Sequence, residues 1–171
     1  MSEWRLAPYD PAVAYKGIKE FDCGNAMINR FVRHSLKKRV RKNLSRAYLL
    51  LDNRERFAGF YTLDAFSIAR ESFDTHRRPS GLPPVIPVIK LGMLGIDKRY
   101  QREGLGRRLL RDAMIKTYRL SQIAGCAGLY LLAEKEAIPF YEQLGFFPLK
   151  EAKPLPMFLP LSVIAEAMKA S

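Results

Sequence analysis

Gln101-Arg102-Glu103-Gly104-Leu105-Gly106-Arg107 carries the plainest chemical signal in this sequence, between an apolar run ending at Asp97 and a stretch of helical spacing beginning near Gly104. A glycine-rich turn entering a helix presents unpaired backbone N–H groups at the positive end of the helix dipole, which suits a pyrophosphate. Gly104 and Gly106 let the backbone approach phosphate oxygens that a Cβ would hold off, and Arg102, Arg107 and Arg108 can add charge-assisted contacts. Taken alone, a Gly-x-Gly fits a tight strand-to-helix turn equally well. The chain has no G-x-x-x-x-G-K-[ST] loop and no G-x-G-x-x-G between two strands of a βαβ unit, so the common mononucleotide and dinucleotide sites are excluded.

The second signal is electrostatic. Ile28, Phe31, Val32, Leu36, Val40 and Leu44 recur at helical spacing, which predicts one or two amphipathic helices over residues 25–43. The other faces carry Arg30, Arg33, Lys37, Lys38, Arg39, Arg41, Lys42 and Arg46 with no acidic residue among them. A merely solvated helix usually mixes signs to form pairs three or four residues apart, so this face reads as a surface for a polyanion. The whole chain agrees: 29 Lys plus Arg against 17 Asp plus Glu give a net charge of +12 and a pI near 9.9. Such an excess favours nucleic acid or a phosphorylated cofactor as partner, and disfavours polyamines and cationic antibiotics.

These groups need elements to hold them. After an apolar opening around Trp4 to Ala7, strands are expected at 47–51 and 57–69, joined through Asp52-Asn53-Arg54-Glu55 as a hairpin turn. A polar, Pro-containing surface loop spans 70–84. A buried strand over 85–96, a helix from Gly104 to about Ser121, a strand over 128–133 and a short helix over 136–144 follow, with closing strands at 146–149 and 157–159. That order predicts an α/β (α+β) fold, with a mostly antiparallel sheet and helices on both faces.

Composition sets the frame. With 171 residues, 48% hydrophobic and 27% charged, the chain is expected to form one globular domain over residues 1–171. No run reaches the roughly 20 apolar residues that span a bilayer. The opening Met1-Ser2-Glu3-Trp4-Arg5 lacks a secretory pattern, so a soluble cytoplasmic protein is expected. Cys23 and Cys126 then read as free thiols, and His34 and His76 have no Cys or carboxylate at ligand spacing, so no metal site is expected.

The two motifs together resemble a known superfamily. Gln101-x-x-Gly104-x-Gly106 after an apolar strand is similar to the acetyl-coenzyme A signature of GNAT acetyltransferases, and Ala137-Ile138-Pro139-Phe140-Tyr141-Glu142-Gln143-Leu144-Gly145-Phe146 resembles their second signature. The resemblance implies a twisted sheet of about six to seven strands with splayed central strands, acetyl-CoA as cofactor, and a cofactor site drawn from Leu94, Gly95, Ile96, Gln101, Arg102, Glu103, Gly104, Leu105, Gly106, Arg107 and Phe140. Leu94 and Ile96 would offer backbone groups to the pantetheine arm. Further stretches, Phe21-Asp22-Cys23-Gly24 with Ile28-Asn29-Arg30-Phe31, Gly59-Phe60-Tyr61-Thr62-Leu63, Pro87-Val88-Ile89-Lys90-Leu91-Gly92 and Phe158-Leu159-Pro160-Leu161, resemble the GNAT toxins of bacterial toxin–antitoxin pairs. That group acetylates the α-amine of aminoacyl-tRNA, stops translation and is neutralised by a ribbon-helix-helix antitoxin; a homodimer is a further expectation. Met93 stands where the group often has Arg, and Gly95 where it often has Ala.

Acetyl transfer to an amine needs a neutral nucleophile, stabilisation of the oxyanion and an acid for the leaving thiolate. The resemblance gives the acid to Tyr141, while a backbone N–H from Met93 to Ile96 would hold the oxyanion. No carboxylate lies inside that strand, Asp97 falling at its end, so no dedicated base is visible; ordered water or Glu134 could serve. An α-amine titrating near about 7.7–8.0 is largely neutral without one. Arg30, Arg33, Lys37, Lys38, Arg41 and Lys42 are expected to grip the tRNA acceptor stem through phosphates, with Arg77 and Arg78 as possible additions. Two other readings stay open: a GNAT enzyme for a small-molecule or peptide amine that is not a toxin, and a nucleic-acid-binding module without catalysis.

Overall fold

The computed structural model describes residues 3–170. Among the described residues seven strands form one mixed sheet in the order β1-β2-β3-β4-β5-β7-β6, and five α-helices accompany it. By contact density the chain forms two compact units, Met1–Asp64 with Gly92–Ala113 and Ala65–Leu91 with Met114–Ser171. Strands β3 (Phe57–Ala69) and β4 (Val85–Ile96) and helix α3 (Leu105–Ser121) each contribute residues to both units.

In the first unit, β1 (Arg5–Pro8), β2 (Arg46–Leu51) and β3 form an antiparallel ladder, with Arg5 opposite Leu51 and Arg46 opposite Leu63. The β2–β3 turn is built on Asp52, whose carboxylate accepts the N–H groups of Arg54 and Arg56 at 2.8 and 2.9 Å and the Tyr100 hydroxyl at 3.1 Å. The basic segment forms two helices, α1 (Ala26–His34) and α2 (Leu36–Arg41). Asn25 starts α1 by accepting the N–H groups of Met27 and Ile28, and Ser35 leaves helical geometry between the two helices. The apolar stripe survives this break, since Val32, Leu36 and Val40 are all buried. Val32 packs with Phe21, Leu49, Leu51, Phe57 and Phe60, where Phe21 meets Phe57 and Phe60 edge-on at 4.9 and 5.7 Å, while Leu36 and Val40 pack with Ala47. Burying each phenylalanine contributes about 2–3 kcal/mol.

In the second unit, β5 (Gly128–Ala133) runs parallel to β4 from Ile89↔Leu129 to Leu91↔Leu131 and antiparallel to β7 (Leu155–Pro160). β6 (Phe147–Pro148) closes the edge against β7. Gly128 is required by this close approach, because a Cβ there would lie 2.2 Å from the Leu159 carbonyl oxygen. The core between these elements gathers Ile68, Phe73, Ile86, Val88, Tyr130, Leu149 and Phe158.

A mixed, mostly antiparallel sheet is thus observed, with two elements that the sequence reading leaves unassigned: β1, and the closing helix α5 (Leu161–Lys169), whose Ile164 is fully buried. The helix expected over 136–144 is a 3-10 turn, Lys135–Ala137, followed by α4 (Ile138–Gln143). Among the described residues no helix is long and apolar enough to cross a membrane.

Candidate active site

The end of β4 and the turn into α3 lie wholly in the first unit. The Asp97 N–H donates to the Ala58 carbonyl at 2.8 Å, and the Met93 N–H donates to the Thr62 hydroxyl at 2.9 Å. Backbone groups alternate sides along a strand, so residues 93 and 97 face β3 while Leu94 and Ile96 turn their N–H groups toward the opposite edge. Met93 is therefore withdrawn from the set of oxyanion donors: a side chain from the neighbouring strand already takes its N–H. Thr62 is buried in the middle of an apolar strand, and the sequence reading passes over it. A hydroxyl at such a place, which must find a partner once buried, is the signal that marks it.

Gln101 plays a part that the motif does not announce. Its side-chain amide donates to the carbonyls of Ile96 and Cys23, both at 2.9 Å, tying the turn to the end of β4 and to the segment before α1. Asp97 anchors the same corner. It is 3% exposed and accepts the Arg99 backbone and side chain at 3.0 Å and the Asp22 N–H at 3.3 Å. Burial opposes its ionisation, but these donors outweigh it and hold the carboxyl below the usual range. With its lone pairs so occupied, Asp97 is a structural anion rather than a base.

The turn itself is open. Arg102 and Gly104 take left-handed backbone conformations, φ +67° and +77°, and a Cβ on Gly104 would meet nothing within 4 Å. Gln101, Arg102, Glu103, Gly104 and Arg107 are exposed, Gly106 is half-buried, and Leu105 is buried and pins the start of α3. The first intrahelical bond runs from the Arg108 N–H to the Gly104 carbonyl at 3.2 Å, which leaves the Leu105 and Gly106 N–H groups without a carbonyl inside the helix. This cradle fits a pyrophosphate. A Glu103 carboxylate would repel phosphate, and the residue lines a separate recess of about 580 Å³ with Trp4, Arg54, Arg56, Arg99 and Tyr100.

Gly95 lies on the face of β4 that meets α1. A Cβ there would sit 3.1 Å from Ile28 Cγ2, 3.3 Å from the Phe21 ring and 3.4 Å from the Cys23 Cβ, so the glycine admits the helix. Met93 packs into the same phenylalanine cluster. On α1 and α2, Arg30, Arg33, Lys37, Lys38, Arg41 and Lys42 are exposed. Arg33 donates to the Phe21 carbonyl at 3.1 Å; Arg30, Lys37, Lys38, Arg41 and Lys42 form no ion pair with a described residue. Arg39 is spent internally, on the Ser45 hydroxyl at 2.9 Å and on Asp64 at 3.5 Å.

Tyr141 and Phe140 lie on α4 in the second unit. The Tyr141 ring is wedged edge-on between Phe140 at 5.2 Å and Phe146 at 5.5 Å. Its hydroxyl makes no hydrogen bond with a described residue, and burial pushes it up to about 12. A phenol so placed is held neutral and keeps its proton available. Glu134 is exposed at the end of β5. In the loop, Arg77 covers the Phe147 ring at 5.4 Å and Arg78 donates to the Phe73 carbonyl at 3.5 Å, so both have intramolecular roles.

The acetyltransferase (GNAT) domain family matches residues 44–148. A probable toxin TacT of Sinorhizobium fredii (strain NBRC 101917 / NGR234) is 29% identical over 161 residues, 86% of this chain and 87% of its own. The crystal structure of a bacterial toxin superposes with a TM-score of 0.95 at 33% identity, covering 100% of this chain and 98% of that one. AtaT complexed with acetyl-methionyl-tRNAfMet superposes with a TM-score of 0.87 at 28% identity, covering 97% and 99%. A Tyr-to-Phe mutant of AtaT, bound to the C-terminus of the antitoxin AtaR and acetyl-CoA, gives 0.82 at 27% identity, covering 98% and 99%. The matched span contains both the Gln101–Gly106 turn and Tyr141, and the likeness to the bacterial toxin runs the length of the chain, so this protein is an N-acetyltransferase of the GNAT family.

Proposed function

We propose that this N-acetyltransferase moves the acetyl group of acetyl-CoA onto the α-amine of an aminoacyl-tRNA and thereby stops translation, and that a cognate ribbon-helix-helix antitoxin neutralises it. The observation that carries this reading is the exposed cationic face of α1 and α2, where Arg30, Lys37, Lys38, Arg41 and Lys42 have no acidic partner among the described residues. A polyanion is the natural complement of such a face. The full-length likeness to AtaT, solved with acetyl-methionyl-tRNAfMet and with an antitoxin C-terminus, supports the same substrate and partner classes.

In this reading the turn from Gln101 to Arg107 binds the pyrophosphate through the backbone groups at the start of α3, with Arg102 and Arg107 adding charge. Leu94 and Ile96 offer backbone groups to the pantetheine arm, and an N–H of this stretch other than that of Met93 stabilises the carbonyl oxygen as it gains charge. Tyr141 gives its proton to the departing thiolate, and Phe140 packs beside it. The cations of α1 and α2 hold the acceptor stem through phosphates, which positions the aminoacyl end without reading sequence.

The test is transfer of labelled acetyl from acetyl-CoA to bulk charged and uncharged tRNA. Label on charged tRNA only is the expected result. No label on tRNA, with coenzyme A still bound, would move the acceptor to a small-molecule or peptide amine.

A further inference from the structure

We infer that Asp64 of β3 receives the α-amino group of the acceptor and takes the proton that the nitrogen sheds as it is acetylated. The inference rests on the reading above, in which the acceptor is an aminoacyl-tRNA.

Among the described residues of the first unit, Asp64 is the carboxylate with a buried oxygen that lacks a donor. Its side chain is 17% exposed, and its Oδ1 is, among the described residues, one of two buried side-chain polar atoms without a partner, the other being Arg78 Nε in the second unit. Its Oδ2 lies 3.5 Å from Arg39, a loose contact for a guanidinium that also serves Ser45 and, at 3.5 Å, the Leu44 carbonyl. The neighbouring carboxylates are engaged. Asp22 accepts from Gly24 and Asn29, Asp52 from Arg54, Arg56 and Tyr100, Asp97 from Arg99 and Asp22, and Asp112 from Tyr61. Native proteins rarely leave a buried carboxylate oxygen without a donor, and an exception asks what donor it awaits.

Its position supplies the answer. Asp64 reaches β4 at Gly92, where a Cβ would lie 3.3 Å from Asp64 Oδ2 and 2.8 Å from the Thr62 hydroxyl that takes the Met93 N–H. The carboxylate thus lies against Gly92, two residues before Leu94, where the backbone groups that we assign to the cofactor begin. The charged group in contact with it is Arg39 of α2, and on β4 it lies against Gly92. Rotation about the Cβ–Cγ axis moves both oxygens together, and turning Oδ1 toward an incoming cation gives up only the loose 3.5 Å contact of Oδ2 with Arg39. Charge gives the second argument. Aminoacyl-tRNA is a polyanion with one cationic or proton-rich group, its α-amine, and the protein offers the mirror pattern: cations along α1 and α2, and one recessed, unsatisfied carboxylate beside the strand.

The step balances. As the nitrogen lone pair forms the C–N bond to the thioester carbonyl carbon, one N–H proton passes to Asp64; the C–S pair leaves on sulfur, which takes the proton of Tyr141. Solvent then carries the proton from Asp64 back to the Tyr141 oxygen.

The experiment compares wild type with Asp64→Asn and Asp64→Ala in acetyl transfer to charged tRNA, with coenzyme A affinity and the salt dependence of tRNA binding measured alongside. We expect kcat to fall about 100-fold in both variants, coenzyme A affinity and salt slope to be kept, and sodium formate, but not sodium chloride at the same ionic strength, to restore Asp64→Ala by about tenfold or more. If one variant fails to fold, by its circular dichroism melt, the other decides. Activity of Asp64→Asn within about threefold of wild type, or an Asp64→Ala enzyme indifferent to formate, overturns the role of Asp64 alone. Wild-type enzyme that leaves charged tRNA unlabelled overturns this role together with the substrate reading.

Discussion

Replacing Tyr141 by Phe removes one oxygen and little else, so its effect isolates the acid. The ring keeps its edge-on contacts with Phe140 and Phe146, and the lost hydroxyl breaks no hydrogen bond to a described residue. Stability should change by no more than about 0.5 kcal/mol, as for substitutions that touch no special feature. Chemistry is another matter. Burial holds the phenol at about 12, some two pH units above an ordinary tyrosine, or about 3 kcal/mol in favour of the neutral form. Handing the whole proton to a thiolate of ordinary affinity, near about 8.5, would run uphill by about 5 kcal/mol. The proton must therefore move with C–S cleavage rather than before it, and the benefit is that of a positioned general acid, about 10²–10⁴ in rate. We expect Tyr141→Phe to lower kcat by about 100-fold or more in the labelled-acetyl assay, with coenzyme A affinity intact. The acid form is the active one, so a loss caused by Tyr141 sets in only as pH rises through about 12. A mutant retaining kcat within about threefold would refute the assignment, whereas an alkaline limb near pH 9 that the mutation abolishes would keep Tyr141 as the acid and refute its raised value.

Neutralising Arg30, Lys37, Lys38 and Arg41 together should flatten the slope of log affinity for tRNA against log salt by about 3, at roughly 0.7–0.9 per phosphate contact, as read by filter binding at several salt concentrations. Gly95→Ala should lower stability by about 1–2 kcal/mol in denaturant melts, because its Cβ would press on Ile28 at 3.1 Å. Asp97→Asn should cost about 2 kcal/mol near neutral pH, the carboxylate being buried and bonded by Arg99. Its sign with pH follows from the lowered Asp97 carboxyl: the stabilisation is present above the unfolded value of about 3.9 and is lost as pH falls through the folded one. Wild type should thus lose more stability than Asp97→Asn between pH 5 and acid, which thermal melts across that range would show.

The strand, glycine turn and helix around Gly104 were legible because their signals are local: an apolar run, two glycines, then helical spacing. The two-part basic helix was legible for its stripe but not for its break at Ser35, which any polar residue on the outer face would have disguised. Helix α5 carries a readable spacing in Leu161, Ile164 and Met168, yet it follows Pro160 directly and is easily taken for the tail of the last strand. Capture of the Met93 N–H by Thr62 lay beyond reach, since the partners are 31 residues apart and only the register of β3 against β4 joins them. Asp64 gives no signal in the sequence for the same reason: the carboxylate comes from β3 and meets β4 only through the register of the two strands.

The two departures from the toxin pattern, Met93 for Arg and Gly95 for Ala, fall two residues apart and so on one face of β4. Both act toward α1. Met93 fills the phenylalanine cluster beneath the helix, and Gly95 clears the space that Ile28 and Phe21 occupy. The helix that carries the cationic face is therefore seated on β4 by apolar contact and by the absence of a methyl group, with no charge spent at its base. Arg33 adds its bond to the Phe21 carbonyl, and Gln101 ties Cys23 to Ile96, so the start of α1 and the end of β4 are fixed to a common corner. In the proposed reaction, that rigidity lets phosphate contacts made by α1 and α2 set the position of an amine at β4. A shift of the helix would then be felt as lost rate before it was felt as lost binding.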